Sequence, residues 1–283
     1  MSRSLRPALI AASIAAALVL AGCAGTAGSP DTESTADDAG WVTPGKVTIA
    51  TGEPAYYPWV IDDAPESGEG FEAAVAYAVA EQLGFAEDDV VWVRTSFEEA
   101  IAPGPKDFDF NLQQFSISDE RKQSVDFSSP YYETTQVVIT TGSSPAADAS
   151  SIADLKDLLI GAQTGTTSFT TIEEVIQPTQ GAQAFNTNDD AKLALENGQV
   201  DAIVVDLPTG FYIAGAELSD GVIVGQLPNP EGASGDQFGL LLAKGSPLTA
   251  KVTAAVDALR ADGTLDEITT EWLGGDDTAP LLK

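Results

Sequence analysis

Short apolar runs of β type, at 46–50, 90–94, 108–112, 158–162, 201–205 and 239–243, alternate along the chain with segments of helical periodicity. Phe71, Ala74, Val75, Ala78 and Val79 repeat at the spacing that lines one face of a helix, and the pattern stops at Gly84. Asn188 begins a second such segment that ends at Asn197-Gly198, with Asp189 and Asp190 in the first turn, where carboxylates suit the helix dipole. Two more, 247–261 and 265–273, are separated by the helix stop Asp262-Gly263. Alternation of this kind leaves one economical solution: an α/β architecture of largely parallel sheets flanked by helices. The chain is long enough for one large domain or for two lobes of roughly 100 residues each.

In open α/β sheets, ligands sit beyond the carboxyl ends of the strands. That rule selects 52–59, 113–121, 164–168 and Asp206. Arg121 is either one half of a surface ion pair or a planar fork that grips a carboxylate with two N–H groups. Asp206, at the end of an apolar run, is either a helix N-cap or the counter-charge of a cation. Thr166 and Thr167, after Gly165, either cap the helical run 168–176 or form an anion site with free backbone amides. Tyr56, Tyr57, Trp59 and Phe97 fill a core or line a pocket. Glu53 by itself reads as a solvated loop residue.

Composition removes whole classes of chemistry. The chain has no histidine and one cysteine, so imidazole ligands, His-based triads and internal disulfides are out of reach. No cofactor, metal site or catalytic group is expected. Acidic residues number 43 against 13 basic ones, for a net charge of −30, and such a surface repels nucleic acid and anionic lipid. At 43% hydrophobic residues the acidity is not a sign of disorder.

Arg3 and Arg6 precede a short apolar run, 8–20, too short to span a bilayer but suited to a secretory signal over 1–22. The run ends in Leu20-Ala21-Gly22-Cys23, which resembles the lipobox of bacterial lipoproteins, with Cys23 as the lipidated residue. A plain signal peptide with an incidental cysteine is the alternative. The Gly-, Ser-, Thr-, Ala- and Asp-rich stretch that follows, to 45, reads as a flexible tether. The chain is therefore expected outside the cytoplasm, held by lipid at the outer face of the membrane.

The run Arg121-Lys122-Gln123-Ser124-Val125-Asp126-Phe127-Ser128-Ser129-Pro130-Tyr131-Tyr132 resembles the signature of family 3 extracellular solute-binding proteins, the polar amino-acid receptors of ABC importers. The similarity runs from Lys46 to Trp272. It takes in Gly70-Phe71-Glu72, Ile152-Ala153-Asp154-Leu155-Lys156, Gly198-Gln199-Val200-Asp201-Ala202 and Ala261-Asp262-Gly263-Thr264-Leu265. The resemblance implies a two-lobed periplasmic-binding-protein type II fold with two crossing strands, lobe one being 46–139 plus 244–283 and lobe two 140–243. It implies that Arg121 grips a ligand α-carboxylate, helped by Ser116 and by the Thr166 and Thr167 segment, while Asp206 accepts from the α-ammonium. Glu53, Tyr56, Trp59 and Phe97 would surround the ligand side chain, with Gln114 in the same wall. The implied partners are an amino acid and the permease and ATPase subunits of an importer, with the receptor a monomer. Two departures alter the side-chain end of the pocket: Gln113-Gln114 replaces small residues, and Glu53 replaces the usual Asp. The rival readings are a periplasmic dehydratase-like enzyme acting on prephenate-like acids and a ligand-sensing accessory protein.

Overall fold

The computed structural model describes residues 40–229, 235–274 and 278–283. In chain order the elements of the first half are β1 (Val47–Gly52), α1 (Phe71–Gln82), β2 (Val90–Thr95), α2 (Phe97–Ile101), β3 (Phe110–Asn111), β4 (Val125–Thr134) and β5 (Gln136–Thr141). Then come α3 (Ile152–Leu155), β6 (Ile160–Gln163), α4 (Thr167–Thr171), β7 (Gln183–Phe185), α5 (Asn188–Glu196) and β8 (Ala202–Asp206). The chain closes with α6 (Leu207–Tyr212), β9 (Gly221–Gln226), β10 (Asp236–Ala243), α7 (Thr249–Ala261) and α8 (Thr264–Leu273). The signal segment 1–22, Cys23 and most of the tether lie outside the described residues. Among the described residues no helix is long and apolar enough to cross a membrane.

Two five-stranded sheets result, ordered β2-β1-β3-β10-β4 and β7-β6-β8-β5-β9. In each, the first three strands run parallel, and the crossing strands pair antiparallel to them. Every residue of β1 is buried, as for a strand with helices on its face. The first core packs Ile49, Phe110 and Leu240 against α1, α7 and α8 through Val75, Val79, Val252 and Leu265. The second sheet is covered on both faces, by Ile203, Val205 and Leu195 on one and by Ile160, Val204 and Ile172 on the other. Truncating such fully buried aliphatics to Ala costs about 2–5 kcal/mol each.

The crossings fall earlier than the expected boundaries. The chain leaves the first sheet after Thr134 and pairs in the second from Gln136, and β10 returns from Asp236. Residues 136–139 therefore belong with the second sheet and 236–243 with the first, the reverse of the expected division. The first change falls in the polar run Glu133-Thr134-Thr135-Gln136, inside extended chain that continues from β4 into β5, so no break in periodicity marks it. Residues 278–283 also return to the second sheet. Gln226 N donates to Pro280 O at 2.8 Å, Leu282 N donates to Gln226 O at 2.9 Å, and Leu282 is buried.

Sequence periodicity misses β4, β5, β7 and β9. In β4, Pro130 argues against a central strand, and β4 is indeed an edge with a register shift opposite Gly239. The helical run 168–176 is found as α4 followed by a π-helical turn, Ile172–Ile176.

Candidate functional site

The loop after β1 is pinned by the start of α1. Phe71 N donates to Pro58 O at 3.0 Å and Glu72 N to Trp59 O at 2.8 Å, so loop carbonyls satisfy the first helical amides. This close approach needs Gly70, which has φ +103°; a Cβ there would lie 2.6 Å from Trp59 O.

A cavity of about 230 Å³ lies between the two sheets at the carboxyl ends of their strands. Glu53, Tyr56, Phe97, Gln114, Ser116 and Arg121 line it from the first sheet, and Thr166, Thr167 and Asp206 from the second. Nine of the ten residues expected at a ligand thus line one cavity. Trp59 does not. It is fully buried, packs edge-on against Phe71, Tyr132 and Phe238, and donates its indole N–H to Thr209 Oγ1 at 2.9 Å. An indole of this size gains more from core packing than a cavity wall offers.

Arg121 sits in a 3₁₀ turn, Arg121–Gln123, beyond β3. One terminal nitrogen donates to Ser116 O at 2.7 Å and the other to Gly165 O, from the opposite sheet, at 2.9 Å. The guanidinium carbon lies 5.3 Å above the Phe97 ring, which is itself packed 4.9 Å from Phe115. Burial lowers the Arg121 pKa, and the carboxylates of Asp236, Asp206 and Glu120 oppose that shift. The group stays a cation at any physiological pH.

Thr166 and Thr167 divide the two readings made of them. Thr166 is the N-cap of α4: its hydroxyl accepts from Phe169 N at 3.2 Å and donates to Gln163 O at 2.6 Å. Thr167 Oγ1 instead faces the opposite sheet, 3.2 Å from Ser116 Oγ.

Asp206 stands at the N-cap position of α6 but makes no capping bond. Its carboxylate accepts from Gln136 Nε2 at 2.7 Å. Burial raises its pKa to about 8, with Asp236 adding to the effect, while Gln136 and Arg121 oppose it. Burial thus works against the fixed anion that the resemblance implied.

Glu98, in the first turn of α2, is a wall residue outside the strand-end segments that the sequence selects. Gln113 lines the cavity with Glu98, and the buried Gln113 Oε1 has no hydrogen-bond partner among the described residues. Gln114, although it lines the cavity, has its amides engaged by Glu72. It adopts φ +51°, its backbone N donates to Glu72 Oε1 at 2.8 Å, and its side-chain amide donates to Glu72 Oε2. Glu72 also accepts from the Tyr131 hydroxyl, and burial raises its pKa to about 7 against those three donors. Tyr56 lies beside Thr187 and Asp189 of the second sheet's flank, and burial raises its hydroxyl to about 12.

The profile of bacterial extracellular solute-binding proteins, family 3, matches residues 47–275. The L-arginine-binding protein of Pseudomonas aeruginosa is 29% identical over 231 residues, which is 79% of this chain and 86% of that one. Among solved structures, an ancestral arginine-binding protein bound to arginine superposes with TM-score 0.66 at 29% identity, covering 81% of this chain and 99% of that one. An ancestral amino acid-binding protein, a precursor of cyclohexadienyl dehydratase, superposes with TM-score 0.65 at 28% identity, covering 81% and 95%.

Proposed function

Because the chain belongs to family 3 of the bacterial extracellular solute-binding proteins and has their two-lobed type II fold, we propose that it captures an amino acid for an ABC importer. The observation that carries this reading is the placement of Arg121 and Asp206 on opposite sheets, facing one cavity of about 230 Å³. A buried zwitterion must replace the hydration of both its charges. Arg121 meets the carboxylate and Asp206 the ammonium, so the ligand stabilises the closed form by bridging halves that separate when the cleft opens. No covalent step is involved.

The ligand side chain carries N–H donors, as in arginine, histidine or glutamine. Three acceptors support this: the Glu53 and Glu98 carboxylates and the unpartnered Gln113 Oε1 line the cavity, whose lining includes one cationic side chain, that of Arg121. The names of the relatives agree, since an L-arginine-binding protein and a probable histidine-binding protein are among them. The protein acts as a monomer outside the cytoplasm, anchored through a lipid on Cys23 and tethered by the polar stretch after it.

Thermal unfolding with each common amino acid at high concentration tests the reading. A ligand at 100 times its dissociation constant adds about 2.7 kcal/mol, which shifts the melting temperature by several degrees. A panel in which no amino acid raises the melting point would sink the proposal. A second reading, a dehydratase-like activity, draws on Asp206, since an acid with a pKa near 8 in the cleft is placed to give up a proton. Incubation with prephenate-like cyclic acids, watched for product, separates the two.

A further inference from the structure

A pair of contacts joins the two lobes away from the ligand cavity. Tyr57 and Tyr212 stack with ring centroids 4.2 Å apart and planes tilted by 31°. Trp59, on the same loop, donates its indole N–H to Thr209 Oγ1 at 2.9 Å, and both residues are buried. None of the four lines the cavity that holds Arg121 and Asp206. Both partners on the second lobe belong to α6, three and six residues beyond Asp206, on successive turns of the helix that Asp206 begins.

We propose that these four residues form a latch that sets how far the cleft is closed before any ligand arrives, and through α6 sets the position of Asp206. Opening separates Trp59 from Thr209 and Tyr57 from Tyr212, and both Trp59 Nε1 and the Tyr57 ring then turn to water. The latch contacts therefore exist only in the closed form, and they shift its population without touching ligand. The ligand meets the protein partly pre-closed, and its apparent dissociation constant is the intrinsic one divided by the closed fraction. The inference rests on the reading that the two lobes close on a ligand, but it holds for any ligand that does so.

Thr209→Val removes the acceptor at nearly constant volume and leaves a buried N–H unpaired in the closed form alone. Tyr57→Ala removes the stack at a residue that is 42% exposed, where truncation does not threaten folding. Small-angle scattering of the ligand-free proteins reads the latch directly. Both variants are expected to have a larger radius of gyration than wild type, and Thr209→Ser, which keeps the hydroxyl, is expected to match wild type. Titration with L-arginine as probe is expected to show roughly tenfold weaker apparent binding for Thr209→Val, the scale of one unpaired buried donor. Equal radii for ligand-free wild type and Thr209→Val overturn the latch. Failure of wild type to bind any amino acid overturns the functional reading instead, and the scattering comparison still decides the latch.

Discussion

Asp206, which ends a strand of the second sheet, and Asp236, which begins the return strand of the first, accept from the same nitrogen: Gln136 Nε2 lies 2.7 Å from an oxygen of each. Gln136 opens β5 immediately after the first crossing, so both crossings meet beneath the cleft. The other end of its amide accepts from Ser168 Oγ at 2.6 Å, which fixes its orientation. Burial, with Asp236 as the next cause, raises the Asp206 pKa to about 8, against the opposing pull of Gln136 and Arg121, and so favours a proton on Asp206.

That proton gives binding and stability opposite pH dependences. Asp206 is raised from 3.8 to about 8. Between those values the folded chain holds a proton that the unfolded chain has lost, so ligand-free stability falls as pH rises. The melting temperature of wild type is expected to drop more steeply from pH 5 to pH 8 than that of Asp206→Asn. A ligand ammonium favours ionised Asp206 and expels the proton, so apparent affinity rises with pH and levels off above about 8. Parallel melting curves for the two proteins would refute the assignment.

Arg121→Ala is expected to weaken amino-acid binding by about 2–5 kcal/mol, the loss seen when one partner of a buried charged pair is removed. Arg121→Lys is expected to recover little, because an ammonium does not reproduce the planar fork that reaches Ser116 O and Gly165 O together. Isothermal titration calorimetry measures both. An Ala variant within about threefold of wild type would contradict the assignment.

Glu72→Ala leaves Tyr131 Oη and the Gln114 amide without the acceptor they share. A loss of about 1–3 kcal/mol in chemical denaturation is expected for each donor stranded, and Glu72→Gln should lose less because it keeps one acceptor. Affinity should fall with Glu72→Ala as well, since Gln114 holds its left-handed φ against the strand end that faces the ligand. Unchanged stability in Glu72→Ala would show that the network does not hold that wall.

Cys23→Ser in the producing cell should move the protein from the membrane fraction to the medium, and palmitate labelling should vanish with it. Retention in the membrane fraction without label would leave the anchor to some other segment.

The ligand wall was legible to the extent that it lies just past strands. Glu53, Tyr56, Ser116, Arg121, Thr167 and Asp206 follow β1, β3, β6 or β8 closely, and the strand-end rule places them together. Gln136 and Asp236 sit in crossing strands and give no such signal. Trp59 shows the limit of type-based reading. It shares a loop with Tyr56, but packing against Phe71 and Phe238 turns it inward.

The two lobes came from the family resemblance, while the sequence alone determined the α/β class, the exclusion of His- and thiol-based chemistry, and one cation and one acid past strand ends. Those follow from residue type and spacing, which act locally. Tertiary structure decided where the chain changes sheets, that Thr167 faces the cleft, and that Asp206 shares an amide with Asp236. The contacts of Thr167 and Asp206 join groups tens of residues apart in the chain, and no local pattern records how much water such groups lose when they meet.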